Sequence, residues 1–430
     1  MGIFNGKTLY ATDGSVLHAH GAGFLEADGY YYMFGEVRDK SERVNCYRSR
    51  DLMNWEFRAC VLSLDSHAEP YYVRTTLSLK ERECGANIER PKVIYCEKTK
   101  KYVMWMHYEN GLDYNAARCA VASCDTPDGE YTYHGSFNPV GNMSRDCTLF
   151  VDDDKTAYFI SAARDNADMI IYRLTDDYMA IDEQVKTLWS SQYREAPAIF
   201  KRGKYYFMIT SMCTGWFPNQ CAYAVAEKID GRWSSLRPFG PATAFNTQPT
   251  YVIKLGGSYI YVGDRWDPAD YNNSTYAFLP IEFDAPDSCF IQWAGETTID
   301  VKKKDVRTIV GTSDAVRLSC SNYREYLASD GYDVFGFPLG YANEELLWSV
   351  ENEGERFRLR HIKSGKYLTS EGIVSEGGDS PAQRWKAKAL GKTVQLVNAH
   401  TKKALTVHRR RVILTDGENA NDGFYIVPEY

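Results

Sequence analysis

Five polar residues, His20, Glu89, Asp146, Glu195 and Gln248, each open a short apolar run in this chain of 430 residues. The runs read His-Gly-Ala-Gly-Phe-Leu, Glu-Arg-Pro-Lys-Val-Ile, Asp-Cys-Thr-Leu-Phe-Val, Glu-Ala-Pro-Ala-Ile-Phe and Gln-Pro-Thr-Tyr-Val-Ile. A carboxyl group at the mouth of a buried strand sits half out of the core, where desolvation and neighbouring charges displace its pKa. One such group, Glu195 taken alone, is read as the partner of Arg194 or of a loop arginine. Fivefold recurrence changes that reading: three carboxylates, an amide and an imidazole converging on one concave site are a functional signature.

Convergence requires a repeated scaffold. Tyrosine-rich strand signals follow each leader by 10 to 13 residues, at Tyr30-Tyr31-Tyr32-Met33-Phe34, Tyr102-Val103-Met104-Trp105-Met106, Ala157-Tyr158-Phe159-Ile160, Tyr205-Tyr206-Phe207-Met208-Ile209 and Tyr259-Ile260-Tyr261-Val262. Counted from Tyr30, Tyr102, Tyr158, Tyr205 and Tyr259, the spacings are 72, 56, 47 and 54 residues. That period suits four-stranded sheets around an axis, and no long helical periodicity intervenes. Third-strand signals such as Cys221-Ala222-Tyr223-Ala224-Val225-Ala226 and outer signals at Asp51–Trp55 and Gly231-Arg232-Trp233 complete the expectation of an all-β, five-bladed β-propeller over residues 1–304, its leaders meeting at one end of the axis.

A charged run, Asp300-Val301-Lys302-Lys303-Lys304-Asp305, reads as the linker to a second domain over 305–430. There Tyr326-Leu327-Ala328-Ser329, Tyr367-Leu368-Thr369-Ser370 and Ala404-Leu405-Thr406-Val407 recur at intervals of 41 and 37 residues, each followed by an aromatic at Trp348, Trp385 or Phe424. Three such repeats predict a β-trefoil.

Composition narrows the partners. A formal net charge of −7 argues against nucleic acid and anionic membranes. Aromatics at 14 %, with 32 Tyr, supply strand formers and flat surfaces for sugar rings. No 18-residue apolar run and no signal-peptide pattern is present, and the 11 cysteines lack metal-ligand spacing, so the chain as written reads as cytoplasmic with reduced thiols; removal of a leader would make it extracytoplasmic.

An Asp leading the third blade and a Glu leading the fourth, together with Glu89-Arg90-Pro91-Lys92-Val93, Tyr102-Val103-Met104-Trp105-Met106-His107, Ser144-Arg145-Asp146, Arg194-Glu195-Ala196-Pro197, Thr214-Gly215-Trp216 with Pro218-Asn219, and Gly263-Asp264-Arg265-Trp266, resemble glycoside hydrolase family 43, and in particular its exo-β-1,3-galactanase branch, over about residues 15–300. The resemblance implies an exo-acting, inverting hydrolase that releases galactose from the non-reducing end of β-1,3-galactan or a β-1,3-linked galacto-oligosaccharide. It makes Glu195 the general acid and Asp146 the carboxylate that raises its pKa. Most of the family carries an Asp base on the first blade, where this chain has the His18–Gly23 segment. The galactanase branch shares that departure and has a glutamine at the place of Gln248, which positions the water or, as an imidic acid, activates it. Glu89, or polar groups that merely hold the water, are the alternatives.

The same resemblance assigns Glu89, Glu36, Tyr114, Thr214 and Asn219 to the galactose-binding shell, and Trp216 either to stacking on the sugar or to the core. Glu89 would otherwise pair with Arg90 or Lys92. No cofactor is required; relatives hold a structural Ca²⁺ on the axis, for which no ligand set is readable here. Gln383-Arg384-Trp385 resembles ricin-type trefoils and Gly365–Glu371 fascin-type ones, leaving that domain either sugar-binding or a spacer. The rival readings are an α-L-arabinofuranosidase or β-xylosidase of the same family and a non-catalytic galactoside-binding protein.

Overall fold

Each tyrosine-rich signal becomes the second strand of a four-stranded antiparallel sheet: Tyr30–Asp39, Lys101–Glu109, Ala157–Ala163, Tyr205–Met212 and Ser258–Arg265. In the computed structural model, which describes residues 2–69, 79–80, 85–241, 243–309, 313–321, 325–338, 344–416 and 423–428, the run ahead of each signal forms the first strand of the same sheet. These first strands, His20–Ala27, Asn87–Cys96, Cys147–Val151, Arg194–Arg202 and Gln248–Leu255, lie side by side in a ring, the fifth against the first. Neighbouring sheets cover both faces of a second strand, which is why its middle is apolar on both faces instead of alternating. Tyr102 to Glu109 are all buried, and Trp105 meets Phe159 of the next sheet at 4.8 Å between ring centroids.

Three first strands break register immediately behind their leader. The residue there has a left-handed backbone: Gly21 at φ 57°, Arg90 at 50° and Ala196 at 53°. Each bulge bends its strand and frees one backbone N–H from the ladder. Every one of these N–H groups donates to a carboxylate of the preceding sheet: Gly21 to Asp264 Oδ2 at 3.1 Å, Arg90 to Glu36 Oε2 at 3.0 Å and Ala196 to Asp146 Oδ2 at 3.0 Å.

The expected count of five is corrected: among the described residues, six sheets make up this part of the chain. The sixth has three strands, Ile3–Phe4, Glu296–Asp300 and Asp305–Ile309, drawn from the two ends of the propeller segment. It carries no tyrosine-rich signal, so a search for that repeat passes over it. The charged run 300–305, expected as a linker, is the turn of this sheet's hairpin, with Asp300 opposite Asp305. The signals at Asp51–Trp55 and Gly231–Trp233 fall in the segments before the outer strands Glu56–Ser63 and Arg237–Pro238.

Among its described residues the second domain is a twelve-stranded sheet system over the expected three repeats. The indole N–H of Trp348 donates to Leu327 O at 2.9 Å and that of Trp385 to Leu368 O at 3.1 Å, so successive repeats close on the same contact; Phe424, in the third, is buried but has no donor. Asp422, ahead of it, lies outside the described residues. One continuous apolar cluster runs from Phe207, Tyr223, Phe245 and Trp293 of the propeller to Leu318, Trp348, Trp385 and Phe424 of the trefoil. No α-helix is present among the described residues, and no helix is long and apolar enough to cross a membrane.

The position of the first leader depends on a close approach. A Cβ on Gly35 would lie 2.1 Å from the carbonyl carbon of Ala19, the residue before His20. Backbone against backbone leaves nothing to rotate away, so Gly35→Ala is expected to cost about 3 kcal/mol or more, read as a lowered denaturation midpoint in urea.

Candidate active site

Four of the five leaders, Glu89, Asp146, Glu195 and Gln248, line one cavity of about 260 Å³ at the end of the ring. His20 does not, which corrects the expectation of five converging side chains. It is fully buried behind the wall, its Nδ1 3.2 Å from Asp264 Oδ1 and its ring stacked on Tyr276 at 4.7 Å. Glu36 and Arg38, from the second strand of the same sheet, face the cavity instead.

Glu195 is held from two sides. Its Oε1 accepts from Gln248 Nε2 at 2.9 Å, and its Oε2 from Asn166 Nδ2 at 3.1 Å. Arg194, its suggested partner, turns away to Thr210, donating to Oγ1 at 2.9 Å and to the carbonyl at 2.7 Å. Burial, and then the charge of Asp146, push the Glu195 carboxyl up to about 8, with Arg90 and hydrogen bonds from Cys213 and Gln248 opposing. The Cys213 thiol, beside it, is itself pushed up to about 12 by burial and by Glu195. A carboxylic acid that keeps its proton at neutral pH is what general-acid catalysis needs.

Asp146 takes the Arg90 Nε at 2.8 Å on the same Oδ2 that accepts the Ala196 N–H. The rest of the Arg90 guanidinium reaches Gln248 Oε1 at 2.5 Å and Pro249 O at 3.0 Å. Beneath it, the ammonium of the buried Lys92 donates to Gly21 O at 2.7 Å, and burial brings its pKa down to about 8.

Glu89 sits in a chain of charges. Its Oε1 accepts from Arg38 at 2.8 Å and from the Tyr114 hydroxyl at 2.6 Å, and its Oε2 lies 3.2 Å from His107 Nδ1. His107 Nε2 in turn lies 2.9 Å from Glu109 Oε1. Burial opposes charge on His107, but the two glutamates outweigh it and hold the imidazolium up to about 10. Burial likewise opposes charge on Glu89, yet His107 and Arg38 bring it down to about 2. The expected pairing of Glu89 with Arg90 or Lys92 is therefore replaced by Arg38 and His107. Glu36, whose pKa burial raises, accepts from Tyr271 at 3.1 Å on Oε1 and from the Arg90 N–H on Oε2.

Trp216 is 37 % exposed and faces the cavity, edge-on to Trp266 at 5.3 Å, so it is a wall and not core. Tyr114 also lines the cavity. Thr214 and Asn219 serve the loop that presents Trp216: Asn219 Nδ2 donates to Thr214 Oγ1 at 2.7 Å and to Met212 O at 2.8 Å, and Thr214 donates to Phe217 O at 2.6 Å. Neither lines the main cavity.

The residues missed in sequence have a common address. Like Glu36, which the resemblance did assign and which stands opposite His20, the missed His107, Ser211 and Asp264 stand directly opposite the leaders Glu89, Glu195 and Gln248 across the first strand pair, 16 or 18 residues downstream. Arg38 follows Glu36 by two residues, on the same face. Asn166 comes from a turn in which Arg164, Asp165 and Asn166 all have positive φ.

Glu89, His107 and Asp146 bring one potential ligand atom each within 4.8 Å of one another. With Arg38 and Arg90 already on the two carboxylates and His107 protonated, the set suits hydroxyl groups better than a cation. At the centre of the ring, a divalent ion would face the Arg90 guanidinium and the Lys92 ammonium.

The sequence profile of glycosyl hydrolases family 43 matches residues 23–253, and that of ricin-type β-trefoil lectin-like domains matches 345–421, which settles the trefoil's kind in favour of ricin over fascin. No curated protein sequence matches. Among solved structures, an exo-β-1,3-galactanase from Clostridium thermocellum is 34 % identical, with 99 % of each chain covered and a TM-score of 0.69. An exo-β-1,3-galactanase from Phanerochaete chrysosporium, crystallised with galactose, is 26 % identical over 100 % of this chain and 93 % of its own, with a TM-score of 0.68. A family 43 β-1,3-galactosidase with galactodeoxynojirimycin is 34 % identical over 68 % of this chain and 99 % of its own, with a TM-score of 0.62. A protonated glutamic acid beside a second carboxylate, in a cavity walled by tryptophan, is what such a hydrolase requires, and the chain belongs to glycosyl hydrolase family 43.

Proposed function

We propose that this glycoside hydrolase releases galactose from the non-reducing end of β-1,3-galactan by single displacement with inversion. The observation that carries the reading is Glu195, protonated at neutral pH between Gln248 and Asn166, on a cavity smaller than the roughly 300–1,000 Å³ of drug-sized sites. A cavity of that size suits a single sugar ring. The substrate follows from the similar exo-β-1,3-galactanases, one of them crystallised with β-1,3-galactotriose.

In this reading Glu195 gives its proton to the departing glycosidic oxygen while a water attacks the anomeric carbon from the opposite face and releases its own proton to solvent. Asp146 stays beside it, its charge keeping the proton on Glu195 until the leaving oxygen demands it. Glu89 is ionised, with Oε1 filled by Arg38 and Tyr114, and the second lone pair of Oε2 is left to accept a sugar hydroxyl. Trp216 offers a ring face to the apolar side of the sugar. An arabinofuranosidase or xylosidase with a first-sheet carboxylate base is disfavoured because His20, at that place, is buried and committed to Asp264. A purely binding protein would have no use for a glutamic acid held at about 8.

Glu195→Gln is expected to lower kcat on β-1,3-galactobiose by about 10²–10⁴-fold with the fold intact by circular dichroism. NMR on the native reaction should show α-galactose as the first product; near-native turnover in the variant or initial β-galactose would each count against the mechanism.

Because the acid must be protonated, activity is expected to fall as pH rises through about 8. Asp146→Asn removes the like charge that raises the Glu195 pKa, so the alkaline limb should move to lower pH, by roughly one unit. A limb that stays in place, in kcat/KM against pH, would show that Asp146 does not tune the acid.

A further inference from the structure

The side-chain amide of Gln248 has every hydrogen-bonding position filled. Its oxygen accepts from Arg90 at 2.5 Å and from the Trp266 indole N–H at 2.8 Å, and its nitrogen donates to Glu195 Oε1 at 2.9 Å and to Ser211 Oγ at 3.1 Å. An amide offers two acceptor and two donor positions, so none is left for a water.

The neighbours also fix which end is which. Guanidinium and indole are donors only, so only oxygen can face them. Reversing the amide would set its N–H groups against the two donors Arg90 and Trp266. The same corner excludes the imidic-acid tautomer, whose O–H would find no acceptor on Arg90 or Trp266. Both clamp residues are themselves braced by neighbours. Arg90 is 4 % exposed and tied to Asp146 and Pro249, while Trp266 packs on Tyr271 at 5.8 Å and on His20 at 5.4 Å.

We propose that Arg90 and Trp266 form a donor-only clamp that locks Gln248 in the amide form with its N–H on Glu195, making Gln248 a positioning residue for the acid and not the acceptor of the water's proton. His20 acquires a part in this arrangement as the backing of Trp266, where the wider family places a carboxylate. The kinetic role rests on the hydrolase reading above; the clamp itself does not.

Neutron diffraction from deuterium-exchanged crystals at neutral pD reads the clamp without turnover. Two deuterons on Gln248 Nε2, directed at Glu195 and Ser211, and none on Oε1 are expected; a deuteron on Oε1 or a reversed amide overturns the proposal. In solution, Gln248→Glu keeps acceptors for Arg90 and Trp266, removes the donor to Glu195 and supplies a true carboxylate base. The clamp predicts a kcat on β-1,3-galactobiose lower by roughly tenfold or more and an alkaline limb moved to higher pH, because a like charge now faces Glu195. A kcat at or above the native value means that Gln248 serves to take a proton, and overturns the proposal. Trp266→Phe, which keeps a ring but loses the N–H, should lower kcat roughly three- to tenfold with KM nearly unchanged; an unchanged kcat also overturns it. Should the native enzyme turn over no β-1,3-galactoside, the substrate reading falls and the neutron result alone decides the clamp.

Discussion

A single guanidinium joins three sheets of the ring. Arg90 leaves the second sheet, pairs with Asp146 of the third and bonds Gln248 and Pro249 of the fifth. A buried cation of this kind is tolerated only when its partners satisfy it, and removing either side would strand a charge in the interior at several kcal/mol. Chemistry depends on the same pair. Burial and Asp146 raise the Glu195 pKa while Arg90 restrains it, and the balance near 8 is high enough to keep the proton and low enough to give it up.

The bulges explain how a propeller built for stability can hold so many carboxylates at one end. A first strand is the inner edge of its sheet, so in regular register it bonds alternate N–H groups to the second strand at positions the ladder dictates. The left-handed turns at Gly21, Arg90 and Ala196 each release one N–H to a carboxylate next door, so Asp264, Glu36 and Asp146 are satisfied by backbone from the neighbouring sheet. Backbone strain of order 1–3 kcal/mol for a non-glycine residue in that region is thereby offset by a charge-assisted hydrogen bond. Only at Gly21 does the residue type announce the bulge.

Much of this was legible because tyrosine-rich strands and polar leaders recur together. Glu89, Asp146, Glu195 and Gln248 stand where the repeat places them. His20 occupies the equivalent place in sequence, yet Asp264, Tyr276 and Trp266 claim it from the fifth sheet, a tertiary competition that spacing cannot express. The roles of Arg38 and His107 were hidden because an arginine or histidine in an apolar strand looks like any other until cross-strand register sets it opposite a leader. Thr214 and Asn219 carry family-like spacing but bond each other, shaping the loop instead of meeting the cavity. The sixth sheet escaped because its strands come from opposite ends of the propeller segment and repeat nothing.

The apolar cluster shared by propeller and trefoil bears on avidity. Two modules joined by a flexible tether meet a polymer with an effective concentration that depends on tether length. Here Phe245 and Trp293 belong to the same cluster as Trp348 and Trp385, and Gln292 bonds Gly391 and Thr393 across the junction. A polysaccharide chain gripped by the trefoil would therefore meet the cavity at one set distance and direction. Shared burial also makes the trefoil part of what keeps the last propeller sheets folded, since without it that apolar face would meet water.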